Sequence, residues 1–141
     1  MGLRICLWAM ALIGIFVGSA SPADYRNQPL TAALLASGIT IVDIRSEPEW
    51  QETGVVPGAV LLTFYRRDRS YDLEGFIAEL RRHVEPQVEF ALLCRRGNRS
   101  ARVAAMLAGR GYSSIINLSG GIQDAARNGI RLEPYSGRSA P

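Results

Sequence analysis

The chain has 141 residues, of which 48% are hydrophobic and 21% are charged. That composition is typical of a globular protein, and the length is enough for one domain and not two. All 16 basic residues are arginines, the formal net charge is only +3, and so small an excess does not by itself indicate a nucleic-acid-binding protein.

Residues 1–20 have the pattern of a secretory signal peptide. Arg4 supplies the positive start, residues 5–17 are uncharged and apolar, and residues 18–20 are small, with a second cleavage option after Ala23. The apolar run is short for a membrane span, which needs about 20 residues. We therefore expect export to the periplasm. The alternative is an uncleaved N-terminal anchor, in which case the protein is bound to the membrane.

The chain has two cysteines, Cys6 and Cys94. Cys6 lies in the apolar run of the signal segment and is expected to leave with it. Cys94 is then the only cysteine of the exported chain, so no intramolecular disulfide can form. A lone cysteine in an exported protein is either a free reactive thiol or part of an intermolecular disulfide.

The rest of the chain alternates short apolar runs with helical patterns. Residues 21–29 contain polar residues and prolines and are predicted to be a linker, residues 30–133 to be the domain, and residues 134–141 to be a disordered tail. Strands are predicted at 39–44, 59–63, 89–93 and 114–118, and helices at 31–37, 47–53, 73–84, 100–110 and 122–128. This alternation indicates a parallel sheet covered by helices on both faces, with ligands bound beyond the carboxyl ends of the strands.

Cys94 follows such a strand, and Ser100 opens the next predicted helix. The N–H groups of a tight loop and of a helix's first turn converge on an anion, and the helix N-terminus favours an anion by up to ~2 kcal/mol. We therefore expect a Cys94 thiolate near neutral pH, beside cations that attract an anionic substrate. A buried structural cysteine is the alternative. Three arginines and a glycine within five positions of the sulfur favour the reactive thiol.

Asp43 and Arg45 end another predicted strand and could line the same site. We interpret them as structural, with Arg45 forming an ion pair with Glu47 or Glu49.

Arg66, Arg67 and Arg69 follow the second predicted strand. Such a charge run is typical of a solvated loop, and a role in gathering anionic donors at the mouth of the site is the alternative. His83 is the only histidine, so no Cys–His pair is indicated. No cluster of His, Cys or carboxylates has the spacing of metal ligands, and no metal or cofactor is expected.

Four short motifs occur in order along the chain: DIRSEPEW at 43–50, GVVPGAV at 54–60, CRRGNRS at 94–100 and LSGGIQDA at 118–125. The third resembles the active-site loop C-R-x-G-x-[RT]-[ST] of the rhodanese (sulfurtransferase) family, and the others resemble its flanking signatures. The resemblance implies a rhodanese-like α/β fold, with a mainly parallel five-stranded sheet and helices on both faces. Its fifth strand is one that the pattern does not place.

The same resemblance implies a reaction. The Cys94 thiolate attacks the outer sulfur of an anionic donor such as thiosulfate, becomes a persulfide, and passes that sulfur to cyanide or a thiol. Backbone N–H groups of residues 95–100 hold the persulfide, while the arginine side chains hold the donor's charge. The expected site is Cys94 with Arg95, Arg96, Gly97, Asn98, Arg99 and Ser100.

Two other functions are considered. A phosphatase or arsenate reductase of the same fold has the motif C-x5-R, but here Ser100 occupies the arginine position and Arg99 comes one residue too early. A non-enzymatic sulfur-binding or partner-docking module is the other. We expect a monomer that binds no nucleic acid.

Overall fold

Five strands form the central sheet in the computed structural model, which describes residues 25–137. They are β1 (Tyr25–Pro29), β2 (Thr40–Asp43), β3 (Val60–Leu61), β4 (Phe90–Leu93) and β5 (Ile115–Ser119). Their order is β1-β5-β4-β2-β3, and every neighbouring pair is parallel. The predicted signal segment, 1–20, lies outside the described residues.

Five helices cover the sheet: α1 (Ala32–Ala36), α2 (Glu47–Thr53), α3 (Leu73–Leu80), α4 (Asn98–Ala108) and α5 (Gly121–Arg127). Apolar side chains of α3 and α4 pack on one face of the sheet, with Val42, Phe90 and Leu92. Those of α1 and α5 pack on the other face, with Ala91 and Leu93. The predicted α/β fold, with a parallel five-stranded sheet and helices on both faces, is therefore confirmed. Between residues 25 and 137 no helix is long and apolar enough to cross a bilayer.

The fifth strand, β1, lies where the sequence predicted a linker. Its residues pair in register with β5, from Tyr25 opposite Ile115 to Pro29 opposite Ser119. The strand is an edge strand with mostly exposed or half-exposed residues, and such a strand needs no apolar alternation. Proline is also tolerated on an edge. The linker prediction is therefore wrong for residues 25–29.

The start of the predicted tail is also placed. Tyr135 packs on Trp50 with ring centroids 5.6 Å apart, and its hydroxyl donates to Glu47 at 3.1 Å. Glu133 and Val55 form an isolated bridge just before it. The prediction of a disordered tail from Pro134 thus fails at Tyr135, because an aromatic side chain there covers the tryptophan of α2. Residues 138–141 lie outside the described part of the chain.

Because all five strands are parallel, their carboxyl ends meet at one edge of the sheet. Cys94 follows β4, which is buried at each of its four residues. β4 is flanked by β2 and β5, so the segments that leave these three strands surround the thiol.

Candidate functional site

The Cys94 loop, residues 94–97, joins β4 to α4 in a single tight turn. Gly97 is the N-cap of α4 and has φ +93°, a conformation that a side chain disfavours. The backbone N–H of Gly97 donates to Cys94 Sγ at 3.1 Å, and the Ser100 hydroxyl lies 3.3 Å from the same sulfur. The helix begins at Asn98, two residues before the predicted start, so Arg99 and Ser100 belong to its first turn.

The surroundings of Cys94 favour its thiolate. The residue is only 1% exposed, and this burial raises the pKa of the thiol. The hydroxyl and N–H of Ser100 and the N–H groups of Arg96 and Gly97 lower it further than burial raises it, so the pKa lies below its ordinary value. Hydrogen bonds to a thiolate stabilise the charged form. The converging N–H groups expected from the sequence are present.

Ser100 connects the sulfur to a hydrogen-bond relay formed by Ser100, Asn117 and Asn27, of which Ser100 and Asn117 are buried and Asn27 is exposed. Ser100 Oγ lies 2.6 Å from Asn117 Oδ1, and Asn117 Nδ2 donates to Asn27 Oδ1 at 2.8 Å. Asn117 is on β5 and Asn27 is its register partner on β1. The relay therefore runs from the thiol across β5 to the edge strand.

The turn between β5 and α5 supports the Cys94 loop from behind. The N–H groups of Ile122 and Gln123 donate to the carbonyl oxygens of Cys94 and Arg95 at 2.9 and 3.3 Å. A Cβ at Gly121 would overlap those same two carbonyl groups, which is why the backbone can approach so closely only with glycine there. With its carbonyls directed at α5, the loop directs its N–H groups at the sulfur.

Arg99 forms a two-point ion pair with Glu49 of α2. The guanidinium donates to the two carboxylate oxygens at 2.9 and 2.6 Å. Partial burial raises the pKa of Glu49. Its hydrogen bonds with Arg99 and Ser46 lower the pKa by more than burial raises it, so the net pKa is about 2. The carboxylate occupies one edge of the Arg99 guanidinium, so the arginine also fixes α2 against α4.

The other predicted side chains of the loop are more exposed. Arg95 donates to Glu52 at 3.2 Å and Arg96 donates to Gln123 at 3.2 Å, both at the surface. Asn98 is exposed, and no side-chain hydrogen bond from it appears among residues 25–137. The structure thus places Cys94, Gly97 and Ser100 around the sulfur, while Arg95, Arg96 and Asn98 lie outward.

Arg45 is structural, but its partner differs from the prediction. It pairs with Asp43 at 2.7 Å, and the side chains of both are at most 1% exposed. It also donates to Thr53 Oγ1 and to the carbonyl of Gly54, which end α2. Glu49 forms its ion pair with Arg99 instead, because Asp43 of β2 already supplies a carboxylate to Arg45.

A cleft of about 1050 Å³ lies beside the loop, and we call it the arginine cleft. Six arginines line it, together with Glu47, Glu49 and Tyr65. The arginines are Arg66, Arg67, Arg69, Arg95, Arg99 and Arg102. The run of arginines after β3 is thus at the mouth of the site. Among the described residues, no group of three or more His, Cys, Asp and Glu side chains could hold a metal ion.

Sequence reasoning missed two site residues that carry a recognisable signal. Asn117 is a polar residue inside an otherwise apolar strand, and it is only 3% exposed, a combination that calls for a hydrogen-bond partner. Arg102 follows Arg99 by three positions on α4, so the two share a helix face.

Comparisons with known proteins agree with this geometry. The family model for the rhodanese-like domain matches residues 27–128. Thiosulfate sulfurtransferase GlpE of Ectopseudomonas mendocina (strain ymp) is 31% identical over 90 residues, covering 64% of this chain and 72% of that protein. The rhodanese domain-containing protein CG4456 of Drosophila melanogaster is 26% identical over 85 residues, covering 58% of this chain and 77% of that protein.

Solved structures show the same fold. Rv0390 of M. tuberculosis superposes with a TM-score of 0.54 and 26% identity, covering 69% of this chain and 80% of its own. A protein of unknown function from Rhodopseudomonas palustris CGA009, described as a possible tyrosine phosphatase, superposes with a TM-score of 0.53 and 25% identity. That match covers 72% of this chain and 77% of the R. palustris chain. The family match extends from the third residue of β1 to just beyond α5 and includes the whole Cys94 loop, and the chain accordingly belongs to the rhodanese family.

Proposed function

We propose that this protein is a sulfurtransferase in which Cys94 carries the transferred sulfur as a persulfide. The thiolate attacks the outer sulfur of a thiosulfate-like donor, an S–S bond forms to Cys94, and sulfite leaves with the electron pair of the broken bond. A thiol or cyanide then attacks the outer persulfide sulfur and releases the Cys94 thiolate. The anionic donor and the acceptor are small molecules.

The observation that carries this proposal is the set of donors around Cys94 Sγ. The N–H groups of Arg96, Gly97 and Ser100 and the Ser100 hydroxyl all stabilise negative charge on that sulfur. The same donors can hold the outer sulfur of a persulfide anion, because a short loop gathers them around one atom. The 31% identity to GlpE, a thiosulfate sulfurtransferase, supports the same activity.

The roles of the arginines divide in two. Arg99 is held by Glu49 and acts as a positioning residue for α4 and α2. Arg95 lines the cleft, is half-exposed and has only a surface ion pair with Glu52. Such a pair contributes little and exchanges readily, so Arg95 is the loop arginine that is free to bind a donor. Arg96 does not line the cleft.

The test is the intact mass of the full chain after incubation with thiosulfate and then with cyanide. We expect one extra sulfur on Cys94 after the first step, its loss after the second, and thiocyanate in solution. Cys94→Ser should form neither the adduct nor thiocyanate, because a serine hydroxyl is not ionised near neutral pH and cannot carry a persulfide. Thiocyanate formation by Cys94→Ser would contradict the proposal.

Phosphatase activity is the alternative suggested by the R. palustris relative. The loop argues against it, because Ser100 stands at the C-x5-R position and its buried hydroxyl contacts the sulfur. Hydrolysis of p-nitrophenyl phosphate by the parent but not by Cys94→Ser, without a sulfur adduct, would favour the phosphatase.

A non-catalytic sulfur-binding module would take up the sulfur and fail to release it to cyanide or to thiols. The two-step mass measurement separates this case from an enzyme. We further propose that the chain acts in the periplasm after export, on the strength of the pattern in residues 1–20.

A further inference from the structure

The arginine cleft has much more space and charge than thiosulfate requires. Its volume of about 1050 Å³ is at the upper end of the range for small-molecule sites, about 300–1,000 Å³. Six arginines line it against two glutamates. Arg66, Arg67, Arg69 and Arg102 are exposed and form no ion pair among residues 25–137.

The segment that presents three of these arginines is a well-defined turn. The N–H of Arg66 donates to Ser70 O at 2.8 Å, and the N–H of Arg69 donates to Arg66 O at 2.9 Å. Arg69 has φ +67°, the only non-glycine residue between 25 and 137 with positive φ. Such a conformation persists only where the surrounding structure fixes it, so the turn holds its arginines in place.

The one carboxylate in that turn, Asp68, is exposed and is hydrogen-bonded within the turn. It accepts from the N–H and the hydroxyl of Ser70, at 3.0 and 2.6 Å. It does not line the cleft and forms no ion pair among residues 25–137. Of the cleft arginines, Arg66 acts on its charge, so Asp68 offsets only part of the positive charge of the turn.

The cleft is close to the thiol. Arg95 of the Cys94 loop and Arg99 of the first turn of α4 line it. Tyr65 lines it too, and negative charge on Cys94 acts on the pKa of both Tyr65 and Arg99. The cleft therefore lies beside the loop that carries the thiol and within electrostatic range of its sulfur.

We infer that the arginine cleft is a second anion subsite, which binds a carboxylate or sulfonate of an organic thiol acceptor at a distance from its sulfur. This inference rests on the proposed sulfur transfer at Cys94. In that step the acceptor thiol RSH passes its proton to the persulfide anion, and the resulting thiolate RS⁻ forms a bond to the outer sulfur of Cys94–S–SH. The S–S bond to Cys94 breaks, the electron pair returns to Cys94 as thiolate, and RSSH leaves, so no external oxidant or reductant is needed.

The test compares two acceptors that differ only in a distant charge, mercaptohexanoate and mercaptohexanol. Each is added to full-length protein whose Cys94 has been loaded from thiosulfate, and loss of the persulfide is followed by mass. We expect kcat/KM for the acid to exceed that for the alcohol by about tenfold, because a cationic cleft concentrates and orients an anionic substrate. The ratio should fall toward one at high salt.

Arg66→Gln combined with Arg67→Gln should remove most of this preference. Arg69 is left unchanged because its backbone conformation supports the turn. The matched control is Arg81→Gln combined with Arg131→Gln, which removes the same charge from two exposed arginines that do not line the cleft. It should keep the parental ratio. An equal ratio in the cleft variant and the parent would overturn the inference, as would a parental ratio near one.

A second measurement needs no sulfur transfer. Cys94 of unloaded protein is alkylated with iodoacetate or with iodoacetamide, and the rate ratio is compared with that of free cysteine. The parent should favour the anionic reagent by several-fold more than free cysteine does, and the cleft variant should not. If no sulfur loads but this difference is found, the proposed function and the acceptor role fail together, and only anion binding by the cleft stands. If sulfur transfer proceeds but both ratios are insensitive to Arg66 and Arg67, the subsite fails alone.

Discussion

The hydroxyl of Ser100 has one proton and three acceptors within reach. Asn117 Oδ1 is at 2.6 Å, Gly97 O at 3.2 Å and Cys94 Sγ at 3.3 Å. If the proton goes to Asn117, Ser100 presents only lone pairs to the sulfur and favours the thiol. If Asn117 turns its amide by half a turn, its NH₂ donates to Ser100 and the hydroxyl proton is free for the thiolate. The orientation of the Asn117 amide therefore decides whether the Ser100 hydroxyl adds to the backbone N–H groups that stabilise the thiolate.

A substitution at the far end of the relay should reach the thiol. In the parent both amides can reverse together, because Asn27 can present either its Oδ1 or its NH₂ group to Asn117. Asn27→Asp leaves only an acceptor beside Asn117 Nδ2 and so holds Asn117 Oδ1 toward Ser100, the orientation in which the hydroxyl proton goes to the amide. The expected result is a higher Cys94 pKa and, below that pKa, about twofold to tenfold slower alkylation by iodoacetamide, the equivalent of one hydrogen bond of 0.5–1.5 kcal/mol. The pH dependence of alkylation measures it.

Two comparisons distinguish an effect carried through the relay from the electrostatic effect of an added carboxylate. Gln28→Glu adds a carboxylate to the same strand without joining the relay, and it should leave the alkylation profile unchanged. In a Ser100→Ala background, Asn27→Asp should have no further effect, because the connection to the sulfur is gone. An equal shift with and without Ser100 would show that the relay does not act.

The Cys94 loop depends on two neighbouring elements. One is α4, whose N-cap is Gly97 of the loop, and the other is the β5–α5 turn behind the loop. A Cβ at Gly97 would lie 3.0 Å from Gly120 N and 3.1 Å from Ser119 Cα, in addition to the cost of a left-handed alanine. The loop and the turn can lie together only because both are glycine at their closest points.

Gly97→Ala should therefore lower both stability and activity. We expect a loss of about 2–4 kcal/mol in the free energy of unfolding, from backbone strain of about 1–2 kcal/mol and overpacking of similar size. Sulfur transfer should fall as the Gly97 N–H moves from the sulfur. Gly129→Ala is the control, since its φ is +78° and no atom lies within 4 Å of the added Cβ. Urea unfolding of both variants decides the question, and equal losses would contradict the crowding argument.

The elements that form the core were predictable from sequence, and those at the margins were not. The runs around Val42, Leu92 and Ile116 are apolar because their strands are buried on both faces, and Cys94 could be placed from them. Strand β1 could not be predicted, because it lies at the edge of the sheet and its mostly exposed residues do not form an apolar pattern. The partners of Glu49 and Arg45 could not be assigned either, since several carboxylates are equally near in sequence and only the packing of α2 on α4 separates them.

The Glu49–Arg99 ion pair joins α2 to α4 and makes the stability of the whole domain pH-dependent. The pKa of Glu49 is lowered from 4.5 to about 2. Its contribution is therefore complete above pH 4.5 and is lost as the pH falls toward 2. Because Arg99 is about one-third exposed (34%), solvent screening reduces the effect.

Between about pH 5 and pH 2 the parent should lose about 1–2 kcal/mol more stability than Glu49→Gln, which has no carboxylate to protonate. Urea unfolding across that range measures the difference. Glu85→Gln removes an exposed carboxylate that forms no ion pair among residues 25–137, so it should follow the parent. If Glu49→Gln has the parental pH dependence, the ion pair does not contribute.

The proposed signal peptide ends only a few residues before the first strand of the sheet, which begins at Tyr25. Cleavage after Ala20 or Ala23 would leave all of β1 in the mature protein. We expect an N-terminus at Ser21 or Asp24 in the periplasmic fraction, determined by N-terminal sequencing. Full-length protein in washed membranes would instead support an anchor.

The pairing of β1 with β5 also fixes the order in which the site can be completed. Among the described strands β1 contacts β5 alone, and about 90 residues separate Asn27 from Asn117. A chain delivered from its N-terminus, by a ribosome or through a translocation channel, releases Cys94 before β5 has emerged. Until then the thiol has neither Asn117 behind Ser100 nor the α5 turn behind its loop. Long-range pairing of this kind forms slowly, so a nascent chain carries Cys94 before the packing behind Ser100 and behind the Cys94 loop is complete.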